Sequence, residues 1–257
     1  ISGDATALAI AAWRTSVAAA VQFAGGRVET AMSKQQLLLM SAAGVLLAVH
    51  FYLWFASLAY TSVLRSTVLV STVPLWSGLM EGAVTGVAPR RKFWGGNLVA
   101  MLGVAVITTQ GGGSMSPQQS VSVGDLYAVL SAVAYGAYMQ IGKVVREKVA
   151  VGTWQGFVCG FAALALWPVA IFTNVKVWGF AAKTWALMAG AVAGPQLIGH
   201  QGFDYILKFV PASTVATLIL LEPVGAGALA AFFFQEYPTL LAVMGALVAL
   251  AGVWLAL

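Results

Sequence analysis

The chain has 257 residues, 60% of them apolar and 8% charged, with a formal net charge of +5 and a mean hydropathy of +0.89. A soluble domain of this length needs far more polar surface, so the composition excludes one and points to a polytopic membrane protein covered by lipid-facing side chains. The basic residues are not gathered into an aromatic-basic recognition motif, which argues against nucleic acid, and the single Cys159 rules out an internal disulfide framework.

Nine apolar runs follow in chain order, at residues 5–23, 37–59, 62–84, 93–109, 126–145, 154–172, 184–207, 212–234 and 239–257. Most have the roughly 20 residues needed to cross about 30 Å of hydrocarbon. The first contains Arg14 and lacks a basic leader and a small-residue cleavage site, so it reads as a membrane helix and not a signal peptide. The sequence starts at Ile1 and stops at Leu257 without a polar tail, and is read as trimmed at both ends.

Charge placement predicts an orientation. With the loop of Arg27 and Lys34 in the cytoplasm, alternation puts Arg90, Arg91, Lys92, Lys143, Arg146, Lys148 and Lys208 on the same side, leaving only Arg65, Lys176 and Lys183 opposite. That is the positive-inside bias. The stretch "TTQGGGSMSPQQSVSVGD" then falls outside, a flexible linker between two halves.

The halves are related. A shift of 149 residues lays Pro74 on Pro223, Pro89 on Pro238, Gly78 on Gly227, Gly96 on Gly245 and Gly103 on Gly252. The second half has five runs and the first shows four, so one N-terminal helix is read as missing. A duplicated five-helix unit inverts its topology, because an odd number of crossings turns the second copy over.

"HFYLWFASLAYTSVLRSTVLVSTVPLW" with "GGNLVAMLGVAVI" in the first half, and "LIGHQGFDYILKFVPASTVATLILLEPVGAGALAAFFFQEYPTLLAVMGALVALAGVWL" in the second, resemble the EamA-type drug/metabolite transporters. The resemblance covers nearly the whole chain and is weakest over 154–183. It implies an all-α integral membrane protein of ten helices in two inverted five-helix repeats, here 1–110 and 125–257 around a linker at 111–124. It also implies alternating-access secondary transport of small metabolites. The family's acidic residue before the last helix of each repeat is present as Glu236, whereas the first repeat has Val87, which puts a symmetric acidic pair in doubt.

Arg14 stands halfway along its run, where a bare cation is costly unless it meets a wet cavity, an acid or headgroups. It matches an arginine common in the family's second helix, and beside a central cavity it would attract an anionic or zwitterionic cargo, such as an amino acid. The alternative is a helix displaced so that Arg14 lies near an interface. His50 and Trp54 share a helix face, and His200 falls next to the shifted partner of His50, which places the two histidines at near-equivalent depths, where a central site is expected. Interhelical hydrogen bonding is the plainer role for each.

Trp13, Tyr135 and Tyr138 add aromatic groups with polar tips, suited to a binding site or to packing, and Gln140 lies beside them. In "AGPQLIGHQG", glycines and Pro195 permit a kink that gives Gln196, His200 and Gln201 cavity neighbours. Asp204 and Lys208 read as an i, i+4 ion pair. Trp76, Trp94, Trp167, Trp178 and Trp185 read as membrane-interface anchors.

Glu222 precedes Pro223 in mid-run. The proline cannot donate to the carbonyl of Ile219, so a bend is expected there, with the Glu222 carboxyl bonding that carbonyl or a neighbour such as His200. A carboxyl neutral when dry and ionised when wet can carry a proton; the alternative is a permanently neutral hydrogen-bonding staple. The sequence has no GxSxG, HExxH, Walker or dinucleotide motif, nor a Cys or carboxylate cluster at ligand spacing, so no enzyme, metal site or cofactor is expected. Transport would then be driven by gradients, with protons a candidate coupling ion. The plasma (inner) membrane is the expected location, with an organelle membrane as the alternative; a non-transporting membrane scaffold or receptor is the competing function.

Overall fold

The computed structural model describes residues 5–25, 29, 32–109, 123–235 and 237–257. The elements are α1 (Ala7–Ala24), α2 (Lys34–Ser57), α3 (Val63–Val70), α4 (Val73–Thr85), α5 (Arg91–Thr109), α6 (Val123–Arg146), α7 (Val151–Phe172) and α8 (Ala182–Ala191). A π-helical segment (Val192–His200) leads into α9 (Gln201–Ile206), and α10 (Ala212–Ile219), α11 (Glu222–Phe234) and α12 (Leu240–Ala256) complete the chain. No strand occurs among the described residues.

Seven stretches are at least 18 residues long and apolar enough to cross a bilayer: α1, α2, α3–α4, α5, α6, α7 and α10 into α11. The 17-residue α12 and the interrupted α8–π–α9 segment bring the spans to the nine expected. The protein is a multi-pass integral membrane protein in contact with lipid, and Leu164, Phe172, Leu229 and Phe232 are among its exposed apolar side chains.

The duplication is visible in the helix boundaries. α3 and α10 are 149 residues apart at both ends, as are α4 and α11. Each copy breaks at the same place, and each restarts with proline at its second position, Pro74 or Pro223. At the breaks the backbone tightens to i→i−3 bonds, Thr72 N–H to Leu69 O at 3.2 Å and Leu221 N–H to Leu218 O at 3.1 Å. The left-handed residues that follow also correspond, Gly86 at φ 72° and Gln235 at φ 58°. A residue with a side chain occupies this conformation at a cost that glycine avoids. Matched spans are five crossings apart, so the two repeats run in opposite directions through the membrane.

The chain divides into two compact units. One comprises Ile1–Ala56 and Ala137–Val210, the other Ser57–Gly136 and Pro211–Leu257, and each draws on both repeats. In the first, α1 packs along α7, and Gly44 on α2 lets that helix approach α7, since a Cβ there would come within 2.5 Å of Phe161 Cβ.

In the second unit α5 packs along α12 through Gly96, Ala100 and Gly103 against Gly245, Ala249 and Gly252. These six positions also correspond under the 149-residue shift. Small residues at this spacing let two backbones approach closely, which supplies the association that apolar side chains alone cannot provide in lipid. Arg65 and Asp125 form an ion pair here, and Thr61 Oγ1 donates to the same carboxylate at 2.7 Å. Glu81 on α4 accepts from Ser213 N–H at 2.9 Å, serving the first turn of α10, whose own N-cap position is Pro211.

Candidate functional site

The first unit contains a continuous buried polar chain. Its centre is set by the backbone of the π segment, where Pro195 has no N–H and the turn widens, so that Gln201 N–H reaches the carbonyl of Gln196 five residues back. The corresponding part of the first repeat is regular α2. Gln196 is fully buried.

Arg14, 7% exposed on α1, donates from Nε to Gln196 Oε1 at 2.7 Å, and its guanidinium lies 4.5 Å from the ring centroid of Phe51. Phe51 in turn meets His200 edge-on at 5.5 Å between centroids, while His50 stacks on Trp54 at 5.8 Å. The expected cation is therefore buried between a hydrogen-bonding amide and an aromatic face.

From Gln196 the chain continues through α7. Gln196 Nε2 faces Gln155 Oε1 at 3.4 Å, and Gln155 Nε2 donates to Asp204 Oδ2 on α9. Tyr138 OH donates to the same carboxylate oxygen at 2.7 Å, and Trp154 Nε1 donates to Tyr138 OH at 3.3 Å. Arg146 closes the end, with Nε on the backbone carbonyl of Asp204 at 2.9 Å and a second nitrogen on that of Val149. Cys159 Sγ lies 3.2 Å from Gln155 Oε1. Gly142 gives α6 room against this cluster, with Trp154 3.3 Å from where a Cβ would stand.

Beside the π segment, Gln22 Nε2 donates to Gln201 Oε1 at 2.8 Å, and an open pocket of about 330 Å³ is lined by Val21, Gln22, Gly25, Leu197 and Gln201.

Arg14, His50, Trp54, Tyr138, Gln196 and His200 thus all lie in one compact unit. Trp13 does too, but it points into an aromatic cluster with Trp167, Trp178 and Trp185, with ring centroids 4.6 to 5.5 Å away, and donates to Val177 O at 2.9 Å. Those three tryptophans, expected as interface anchors, pack together around Trp13. Tyr135, buried, and Glu222, exposed in the first turn of α11, belong to the other unit. The bend expected at Glu222 is present. A carboxylate at a helix start is also favoured by the helix dipole.

The Asp204–Lys208 pair expected from i, i+4 spacing is a misreading: Arg65–Asp125 is the ion pair found among the described residues, and Asp204 turns inward to Tyr138 and Gln155. Gln155, Trp154 and Arg146 were missed as site residues. Their polarity within apolar runs was the available signal. Glu236 and the Gly111–Gly113 linker lie outside the described residues.

Repeated membrane-spanning helices among the described residues, with a buried, charge-bearing polar chain inside one unit, fit a helical membrane protein of the transporter class. The chain belongs to the EamA-like transporter family, whose model matches residues 1–109 and 122–257. It is 24% identical over 222 residues to the uncharacterized transporter YyaM of Bacillus subtilis (strain 168), covering 83% of this chain and 72% of that one. It is 28% identical over 143 residues to an uncharacterized transporter of Archaeoglobus fulgidus, covering 55% of this chain and half of the relative's length. A solved crystal structure, 20% identical, superposes with a TM-score of 0.80 over 99% of this chain and 89% of the other, which shows the fold alone. The family is one of transporters, and the chain's bacterial and archaeal relatives support the plasma membrane as its location.

Proposed function

We propose that this transporter moves small anionic or zwitterionic metabolites, such as amino acids or related compounds, by secondary alternating-access transport. Residues 1–110 and 125–257 act as the two inverted repeats and 111–124 as their linker. The observation that carries this reading is Arg14, a cation buried at mid-helix whose hydrogen-bonding partner is the neutral amide of Gln196. A carboxylate offers Arg14 a stronger, charge-assisted and bidentate partner than an amide oxygen, so cargo can displace Gln196. Phe51, His50, Trp54 and His200 supply the flanking rings, and the pocket at Gln22 and Gln201 supplies a route from the α1 C-terminal end. Tyr138 supports the site indirectly through Asp204, and Trp13 is its remaining proposed aromatic member within the same unit. Glu222, at the break between α10 and α11, is proposed to carry a proton between the two open states.

A static helix-locking scaffold is the competing reading. It is favoured by the absence, among the described residues, of any buried side-chain nitrogen or oxygen without a hydrogen-bond partner. Flux of a panel of radiolabelled amino acids into proteoliposomes separates the two: saturable uptake supports transport, and none above protein-free vesicles supports the scaffold.

A further inference from the structure

Asp204 is a carboxyl buried at 2% exposure in the same unit as Arg14. Its connection to Arg14 has a defined polarity. Arg14 can only donate, so it fixes the Gln196 amide with oxygen towards α1 and nitrogen towards Gln155. An ionised carboxylate can only accept, so Asp204 fixes Gln155 with nitrogen towards α9 and oxygen towards Gln196. Both ends impose the same orientation on both amides, and all four side chains are buried at 7% exposure or less.

We propose that Asp204 takes up the proton that accompanies a net-anionic, carboxylate-bearing cargo bound at Arg14, the two events being linked through Gln196 and Gln155. This deepens the transport reading and rests on it.

The argument is one of buried charge. Among the described residues the cluster contains two cations, Arg14 and Arg146, and one anion, Asp204. A cargo carboxylate on Arg14 adds a second anion to a site poorly screened by water, where an uncompensated charge is costly. A proton from a hydronium ion of the bulk solvent, forming an O–H bond on the Asp204 carboxylate and leaving a water molecule, cancels the charge that the cargo adds. Cargo also displaces Gln196 from Arg14 and loosens the amide chain that steadies Asp204 in its ionised form. Linkage makes the effect reciprocal: protonating Asp204 tightens the binding of an anion at Arg14.

Tyr138 and Arg146 from α6 bond Asp204, Trp154 from α7 bonds Tyr138, and Cys159 lies on Gln155, while Lys143 reaches the backbone of Lys208 and Tyr205 follows Asp204 in sequence. His50 and His200 flank the Arg14 end. Arg146 is tied to the backbone carbonyls of Asp204 and Val149, whereas the charge of Arg14 is the one that cargo offsets. Arg14→Gln therefore imitates the loaded site without any ligand.

The test is an infrared pH titration of the full chain in lipid nanodiscs, following the carbonyl stretch of a protonated carboxyl. The wild type should show a titrating band that Asp204→Asn removes, asparagine keeping an acceptor oxygen for Tyr138. In Arg14→Gln the midpoint of that band should lie above that of the wild type, because a cation linked to the carboxylate through the two amides is lost. Gln155→Leu, which keeps both charges but cuts the amide chain, should reduce the displacement that Arg14→Gln causes. A band unaffected by Asp204→Asn, or equal midpoints in wild type and Arg14→Gln, would overturn the proposal. Cargo flux with no midpoint change counts against Asp204 alone; a midpoint change with no flux of any cargo counts against the transport reading.

Discussion

Arg14 and Gln196 are 182 residues apart and share a 2.7 Å hydrogen bond inside the protein. A carboxylate would hold this cation more tightly than the amide does. Gln196→Glu should therefore compete with an anionic cargo. The new carboxylate would pair with Arg14 directly, and uptake should fall about tenfold or more, equivalent to about 1.4 kcal/mol of lost binding. Thermal unfolding of the purified variant should show no loss of stability. Wild-type uptake in this variant would mean that Arg14 does not meet the cargo.

The small-residue contact between α5 and α12 makes a sharp contrast between neighbouring positions. A Cβ on Gly103 would run into the backbone of Ala249, whereas one on Gly95 meets nothing within 4 Å. Gly103→Ala should therefore cost about 1–3 kcal/mol through overpacking. Gly95→Ala should be neutral or stabilise by up to about 1 kcal/mol, since alanine is the better helix former. Unfolding midpoints in detergent compare them directly, and equal effects would show that the close approach of these helices is not as described.

Orientation can be read with thiol labels, because the native Cys159 is buried and should stay silent. Ala88→Cys, between α4 and α5, should react only from the cytoplasmic side, and Thr173→Cys, after α7, only from outside. Labelling of both from the same face would contradict the alternation of spans.

Glu222 and Asp204 give different signatures. Glu222→Gln should still exchange cargo at equal pH on both sides but fail to accumulate it when a pH difference is imposed. Asp204→Asn should bind cargo with an affinity that no longer changes with pH. Undiminished pH-driven accumulation in Glu222→Gln would leave that residue as the first-turn carboxylate of α11.

Much of the architecture was legible because it is local. Apolar run length gave the spans, and the proline and glycine register gave the repeat, down to the breaks before Pro74 and Pro223. These are properties of a residue and its near neighbours. Arg14, His50 and Gln196 were recognisable as polar groups where polarity is costly. Their partners were not, because the face of one helix does not say which helix it meets. Asp204 was assigned to Lys208 four residues on, when Tyr138 and Gln155, 66 and 49 residues away, hold it. The aromatic partners of Trp13 lie more than 150 residues downstream and were equally out of reach of a local reading. The π segment was foreshadowed by Pro195 and its glycines, but its widened turn, which sets Gln196 inward, has no counterpart in α2 from which to infer it.

The most direct measurement is uptake of radiolabelled amino acids into proteoliposomes containing the wild type, Arg14→Lys and Arg14→Gln at matched levels of folded protein. The account predicts saturable uptake by the wild type, partial uptake by Arg14→Lys, which keeps the charge but loses the bidentate fork, and a loss of about tenfold or more in Arg14→Gln. Equal, full uptake in all three would contradict it.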